Sequence, residues 1–307
     1  MANPSVPSVA VDSLASATAA SSIDGLASSN DSTRLSAVLA LGRLESGNLP
    51  QHNAVVRALS DEDTYVRLGA VRALGTLEPL VLVKHAKDIA AIFDDPDADI
   101  RMAAVRALAA LEPPALAKHS AALVERIADV DSDVRLAAVL ALGNLKQWKL
   151  EQLVPAILAH ASSTDAGVRY TALEALAELK QGSTVLVEHA DAIVGALDDN
   201  DADNRLMAMN LLCKLPVADL EPHAHHVVAH LEDGDADVRL TAMRVLSRLE
   251  PSALVAHAGA VVQKLVLQTL DGHGDLAPTA KPTGTAGFGA TTSEAPSSTR
   301  AEVSCRR

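Results

Sequence analysis

One eleven-residue frame recurs seven times along this chain of 307 residues, and it constrains the fold more than any other feature. The frame reads Arg-x-x-Ala-x-x-x-Leu-x-x-Leu, and the stretch 131–145 contains a complete copy. Successive anchor arginines lie 33 to 36 residues apart, at Arg34, Arg67, Arg101, Arg135, Arg169, Arg205 and Arg239. A repeat of this length indicates a stack of similar two-element units, each of which buries its apolar face against its neighbours.

The apolar residues of the frame keep the spacing of a helix. Counted from the anchor, Ala stands at +3 and Leu at +7 and +10 in every copy, while +4 and +6 are always apolar. At 100° per residue these positions share one broad arc, and the variable positions +2, +5 and +9 lie opposite. A second apolar run precedes each frame across an Asp-rich turn such as 95–99, whose carboxylates can cap the following helix. The predicted unit is therefore helix A, acidic turn, helix B and a short turn.

The predicted fold class is all-α, an α-α superhelix of about seven two-helix repeats over residues 11–270. Residues 252–270 supply one further helix A without a helix B after it. Residues 1–10 are predicted to be disordered, and so are residues 271–307, because they are rich in Gly, Pro, Ser and Thr and lack a periodic apolar face. The pattern leaves open whether the chain is complete or part of a longer array.

The fourth copy carries the details of a known helix B pattern, with Asp131, Val134, Arg135 and Ala138 followed by Ala-Leu-Gly at 141–143. It resembles the HEAT-repeat (armadillo-like) family, in the variant Asp-x-x-Val-Arg-x-x-Ala-x-x-Ala-Leu-Gly. The resemblance covers roughly residues 11–270 and implies an α-solenoid. In this family the matching arginine pairs with an Asp of a neighbouring repeat. The resemblance thus implies a structural ladder formed by Arg67, Arg101, Arg135, Arg169, Arg205 and Arg239.

Composition argues against several partner classes. The net charge is −13, and the excess of acidic residues lies in the repeat array, which opposes binding to a phosphate backbone. Aromatic residues make up only 2%, too few for stacking on single-stranded bases. No apolar run reaches membrane-spanning length, and no secretory or transit signal is present. The two cysteines, Cys213 and Cys305, form no disulfide framework, which favours a reducing, cytoplasmic location.

Candidate chemistry is weak throughout, so no catalytic, cofactor or metal residue is predicted. The Asp-rich turns lack the Gly and Glu of a calcium loop, and they are interpreted as caps. A recurring histidine of helix A, replaced once by Leu153, is interpreted as a packed column, because stacked helices stand too far apart to share zinc. His226 and His230 have chelating i, i+4 spacing, but no Glu follows His226. The chain contains no His-Glu dipeptide, which argues against the HEAT-repeat deoxyhypusine hydroxylases.

The predicted function is a non-catalytic scaffold that binds another protein or peptide on its concave face, which helix B lines in HEAT repeats. The alternative is an accessory or lyase-type subunit of the phycobilin-lyase-like HEAT group; a nucleic-acid-associated scaffold is a third possibility. The opposing interpretation of the variable positions is that they are merely solvated. The candidate partner-binding residues are Arg72, Arg106, Leu140, Glu174, Glu178, Arg244 and Arg248.

Overall fold

A computed structural model describes residues 20–43, 49–255 and 259. These residues form α-helices and 3₁₀ turns and no strand, which confirms the all-α prediction. The segments 1–10 and 271–307, predicted to be disordered, lie outside the described residues. So does most of the predicted final helix, of which Pro251–Val255 is described. No helix among the described residues is long and apolar enough to cross a membrane.

Helix B forms in all seven repeats. It spans Asp31–Gly42, Thr64–Gly75, Ala98–Ala109, Ser132–Gly143, Ala166–Ala177, Ala202–Leu212 and Ala236–Leu246. Its start is set by the acidic turn: in repeat 4, for example, the Asp131 side chain accepts hydrogen bonds from the N–H groups of Asp133 and Val134. This satisfies donors that the first turn of a helix leaves without an intrahelical partner.

Helix A is shorter and usually broken. It comprises Leu49–Arg57 in repeat 2, Pro79–Leu82 and Ala86–Ala90 in repeat 3, Pro113–Leu116 and Ser120–Glu125 in repeat 4, Gln147–His160 in repeat 5, Thr184–Glu188 and Ala190–Gly195 in repeat 6, and Val217–Leu220 and Ala224–Ala229 in repeat 7. In the four broken copies the recurring histidine has a φ between −95° and −111° and a ψ near zero, outside the helical region. Repeat 5 has Leu153 in that place and an unbroken helix A.

The chain forms two compact units that meet in sequence at Lys180 and Gln181. In the first unit the B helices of repeats 1 to 5 pack against one another in order, and in the second unit those of repeats 6 and 7 do so. Gly182, next to the start of the second unit, has a φ of 74°, a left-handed conformation that favours glycine. Its N–H donates to the carbonyl oxygen of Lys214 at 2.8 Å.

The core consists of the arc that the frame predicts. The Leu at +7 and the Ala at +3 are almost completely buried, as Leu108, Leu142, Ala104 and Ala138 illustrate. Each fully buried leucine side chain contributes roughly 2 kcal/mol relative to an exposed one. The small residues let neighbouring B helices approach closely: a Cβ added to Gly42 would stand 2.6 Å from the Cβ of Ala73.

Candidate partner-binding surface

Helix B exposes a narrower strip than the predicted +2, +5 and +9 positions. The +2 residues Gly69, Ala137 and Thr171 are buried, whereas they were expected to face outward. The reason is visible at Gly69, where an added Cβ would lie 2.9 Å from Cδ1 of Leu35 in the preceding repeat. Position +2 therefore belongs to the contact between repeats.

The +9 residues of all five repeats in the first unit are exposed, and the +5 position also points outward. Leu39, Arg72, Arg106 and Leu140 are exposed there, and Glu174 is half-buried. Leu140 has 58% of its surface exposed, although it lies in the middle of a helix. The +9 residue Glu178 is also exposed.

A second exposed position, +1, is absent from the predicted site. It is apolar in every repeat of the first unit: Leu35, Leu68, Met102, Leu136 and Tyr170. Leu136 is 45% exposed and the other four are half-buried. The sequence alone could have indicated position +1. It lies 100° from the anchor, at the edge of the packed arc, and yet it is apolar in every repeat of the first unit. We call positions +1, +5 and +9 of repeats 1 to 5 the helix B surface.

The charges on this surface differ along the first unit. The guanidinium groups of Arg72 and Arg106 have no ion pair or hydrogen bond with any described residue. Two repeats further along, burial and then the neighbouring carboxylate of Glu178 raise the pKa of Glu174. Glu178 itself lies across the preceding helix, because a Cβ added to Gly143 would be 2.7 Å from its Oε2. The surface thus runs from basic through apolar to acidic.

The two candidates in the second unit differ from each other. Arg244 is exposed. Arg248 is half-buried, and its guanidinium donates to the carbonyl oxygens of Cys213 and Leu215, the latter at 2.8 Å. Arg248 therefore caps the end of the preceding helix B, and its role in binding a partner stays a prediction. Its position alone could not reveal this, because the acceptors come from another repeat.

Four anchor arginines form rungs of a ladder between repeats. The closest N–O distances are 2.8 Å for Arg34–Asp61 and Arg67–Asp95, 2.7 Å for Arg101–Asp129 and 2.6 Å for Arg205–Asp233. In each rung Nε and Nη2 hold the two carboxylate oxygens, while Nη1 donates to carbonyl oxygens before the same helix, as Arg101 does to residues 95 and 96. For Asp129, burial alone would raise the pKa, but the Arg101 guanidinium and the Asp131 N–H together hold it below its usual range.

The rung at Arg135 is incomplete, contrary to the predicted ladder. Nη1 donates to the carbonyl oxygens of Asp129 and Val130 at 2.9 and 3.3 Å, as in the other rungs. The residue that would supply the carboxylate is Ser163, whose Oγ instead accepts from the N–H of Asp165. The buried Nε of Arg135 consequently has no protein partner in the described chain.

Two further anchors were assigned to the ladder. Arg169 donates to the carbonyl oxygens of Ser163 and Thr164. Arg239 donates to those of Asp233 and Gly234, and the residue 28 positions after it lies outside the described chain. The carboxylate partners of these two arginines remain a prediction.

Histidines are packed in pairs rather than gathered into a metal centre. The rings of His52 and His85, in adjacent repeats, lie 5.7 Å apart in an edge-on arrangement, and both side chains are buried. His230 Nδ1 lies 3.0 Å from an oxygen of Asp233, the carboxylate that already binds Arg205. Within the described ranges no three His, Cys, Asp or Glu side chains are grouped so that they could hold a metal ion.

An open groove of about 270 Å³ lies between residues 23–27 and helix A of repeat 2. Its polar side chains are those of Arg57 and Asp61. Asp61 is already held by Arg34, whose hydrogen bonds lower the pKa of that carboxyl group. The groove therefore has no unpaired carboxylate beside Arg57, and its lining does not indicate a catalytic site.

Comparison with known proteins decides the family. The family described as the adaptin N-terminal region matches residues 15–265. The chain belongs to this family. The predicted membership among HEAT-type repeat proteins is thereby confirmed, and this adaptin-type array is built of the two-helix units described above.

Solved structures similar to the adaptin-type chain include a repeat protein and an engineered protein. The archaeal HEAT-like repeats protein from Thermococcus onnurineus NA1 is 16% identical, with a TM-score of 0.46 over 80% of this chain and 97% of that one. The crystal structure of an engineered protein is 20% identical, with a TM-score of 0.49 over 86% of this chain and 75% of the other. A comparison with curated proteins found no match.

Proposed function

We propose that the protein is a non-catalytic scaffold that binds another protein or a peptide through the helix B surface of its first unit. The observation that carries this proposal is the exposure of Leu136 and Leu140, one helical turn apart, between unpaired arginines and a pair of glutamates. The HEAT-like fold is commonly an interaction scaffold. In that family helix B lines the concave side, which would place these residues on an inner surface.

Isolated exposed leucines are normal on protein surfaces, so the grouping matters more than any one of them. Here apolar +1 residues continue through five adjacent repeats, and the exposed +5 leucines lie beside them. An apolar centre with charged residues around it has the composition of many protein-binding surfaces. This grouping favours a binding surface over positions that are only solvated.

The proposal includes the setting in which the scaffold works. Cys213 is buried and forms no disulfide bond with a described residue, which supports a reducing compartment such as the cytoplasm. The net charge of −13 supports a protein partner over a nucleic acid. We propose no role for a cofactor or a membrane.

The test compares matched substitutions in a binding titration with a partner captured from cells. Leu140→Asp and Arg106→Glu should each weaken binding at least about tenfold, since each changes a side chain at the centre of the surface. Leu80→Asp is the matched control, because Leu80 is 82% exposed at the start of helix A. Lys87→Glu, also on helix A, controls for the change of charge. Circular dichroism and thermal melts must show that all four variants are folded.

If the helix A substitutions weaken binding as much as the helix B substitutions do, the proposed surface is wrong. The same conclusion follows if Leu140→Asp leaves the affinity unchanged while the variant remains folded.

A further inference from the structure

We infer that the helix B surface of the first unit recognises one kind of segment, a peptide that presents an acidic, a large apolar and a basic side chain in that order. Successive side chains of this triplet would be one repeat apart. This inference rests on the proposed function and specifies the chemistry of the partner.

The order follows from three residues at the same position of neighbouring helices. Arg106, Leu140 and Glu174 all stand at +5, on B helices that pack directly against one another. Packed helices lie about 8–10 Å apart. The three side chains therefore mark three sites along one line, separated by about that distance.

The acidic side chain of the partner belongs over repeats 2 and 3. Arg72 and Arg106 are exposed, and their guanidinium groups have no partner among the described residues. By contrast, Arg67 and Arg101 on the same two helices are already held by Asp95 and Asp129. The two free guanidinium groups can each take a carboxylate in the two-pronged geometry that arginine favours.

The apolar side chain belongs over repeat 4. Leu136 and Leu140 stand on one face of helix B, and Met102 lies at the equivalent of Leu136 in the preceding repeat. The flanking Ala110 is exposed but too small to cover this patch. A leucine-sized or aromatic side chain of the partner would remove the two leucines from water.

The basic side chain belongs over repeat 5. Glu174 and Glu178 are four residues apart on one helix, a spacing at which like charges repel. Neither makes an ion pair with a described residue of the first unit. A lysine or arginine from the partner would relieve this repulsion. The acidic end of the surface therefore attracts a positive charge, whereas the basic end attracts a negative one.

The distance between sites translates into spacing along the peptide. An extended peptide in the polyproline II conformation advances about 3.1 Å per residue with three residues per turn, so contact residues on one face would be about three positions apart. A helix advances about 1.5 Å per residue, which would require about six or seven positions. The peptides should therefore be made with both spacings.

The test uses three synthetic fluorescent peptide sequences, each made at both spacings, and the full chain of the protein. Their three contact residues are Glu/Leu/Lys, Lys/Leu/Lys and Glu/Leu/Glu, and their affinities are measured by anisotropy. We expect the Glu/Leu/Lys peptide to bind at least about tenfold more tightly than the other two at one of the two spacings. Replacing its Leu with Ser should abolish that advantage.

A charge reversal provides the decisive comparison. The double variant Arg72→Glu/Arg106→Glu should prefer the Lys/Leu/Lys peptide, because both ends of its surface are then acidic. A double variant in repeat 3, with Lys84→Glu in the break of helix A and Lys87→Glu in its second segment, changes the net charge equally and should keep the original preference.

Equal binding of the three peptides, or no binding of any of them at about 1 mM, overturns the inference. So does an unchanged preference in the double variant. If the captured cellular partner still requires Leu140 in those cases, the proposed function stands and only the assigned chemistry fails. If that partner is insensitive to Leu140→Asp, the proposed function fails as well.

Discussion

Single residues decide whether a rung of the arginine ladder is complete. Arg101 and Asp129 bury their charges together, and two hydrogen bonds at 2.9 and 2.7 Å join them. Arg135 has the same place in the repeated frame and the equivalent Nη1 contacts, yet Ser163 stands where its carboxylate should be. Since a buried charge is stabilised mainly by its partner, these two arginines should differ in their contribution to stability.

Replacing Ser163 with Asp should complete the rung and stabilise the protein. Arg135 is already ordered by its Nη1 contacts, so the new ion pair should raise the free energy of unfolding by about 1–2 kcal/mol. Conversely, Arg101→Ala should cost about 3 kcal/mol, because it leaves Asp129 buried and unpaired, and Arg135→Ala should cost clearly less.

Urea unfolding followed by circular dichroism measures these differences. Ser163→Ala serves as the control, and it should not stabilise the protein. Equal costs for Arg101→Ala and Arg135→Ala would contradict the ladder geometry.

The buried pair His52 and His85 should make stability depend on pH. Burial lowers the pKa of both histidines, and Lys84 adds to the effect at each of them. Their pKa in the folded protein is therefore below the unfolded value of about 6.5. The stability they contribute is present above pH 6.5 and is lost as pH falls below it, because the unfolded chain takes up protons first.

The double variant His52→Leu/His85→Leu should lose this part of the pH dependence, and Leu153 shows that leucine fits the position in another repeat. The measurement is the urea midpoint between pH 5 and pH 8 for both proteins. If the urea midpoint changes with pH in the same way for the wild type and the variant, the two histidines are not the source of the pH dependence.

At the scale of elements, the separation between B helices depends on small residues at their contacts. Gly42 faces Ala73, and Gly75 faces Ala107 with 3.2 Å to an added Cβ. Such contacts leave no room for a larger side chain unless one backbone moves. Helix A tolerates more variation, because its broken and unbroken forms occur in the same array.

Gly42→Ala should destabilise the array, while Gly195→Ala should not. The new methyl group of Gly42→Ala would meet Ala73 Cβ at 2.6 Å, and relieving that overlap should cost about 1–3 kcal/mol. Gly195 has nothing within 4 Å of an added Cβ and a helical φ of −58°, so Ala there should stabilise by roughly 0.5 kcal/mol. Thermal melts of both variants provide the comparison, and an unaffected Gly42→Ala protein would show that the two helices can separate at little cost.

At the scale of the whole molecule, the repeats share an excess of acidic over basic residues. The chain has 39 acidic and 26 basic residues, and acidic turns recur before most B helices. Several of these carboxylates are used internally as caps or ladder partners, as Asp131 and Asp129 are. The remaining carboxylates still leave the chain with a net charge of −13.

We expect no binding to duplex DNA or RNA at about 0.1 M salt, because binding a phosphate backbone requires many basic contacts. Electrophoretic mobility shift with a labelled duplex tests this, with a basic DNA-binding protein as the positive control. Salt-sensitive binding by the wild type that disappears in Arg72→Glu/Arg106→Glu would contradict the expectation and assign a nucleic acid to the helix B surface.

Most of the architecture could be read from local patterns. The anchor spacing, the Asp caps and the buried Ala and Leu positions depend on the 3.6-residue period and on hydrogen bonds within a few residues, so the sequence was sufficient for them. The exposed Arg72, Arg106 and Leu140 were also placed correctly on the outer side of helix B, although what they bind stays a proposal.

The remaining features depend on where the next repeat packs. Gly69 is buried because the helix B of the preceding repeat covers it, and Arg248 is bound because carbonyl groups of the preceding repeat end beside it. Arg135 lacks a carboxylate because of a residue 28 positions away. A helical period specifies which residues share a face, but the distance and angle between packed helices determine how much of that face is covered, and these arise only when the repeats are assembled.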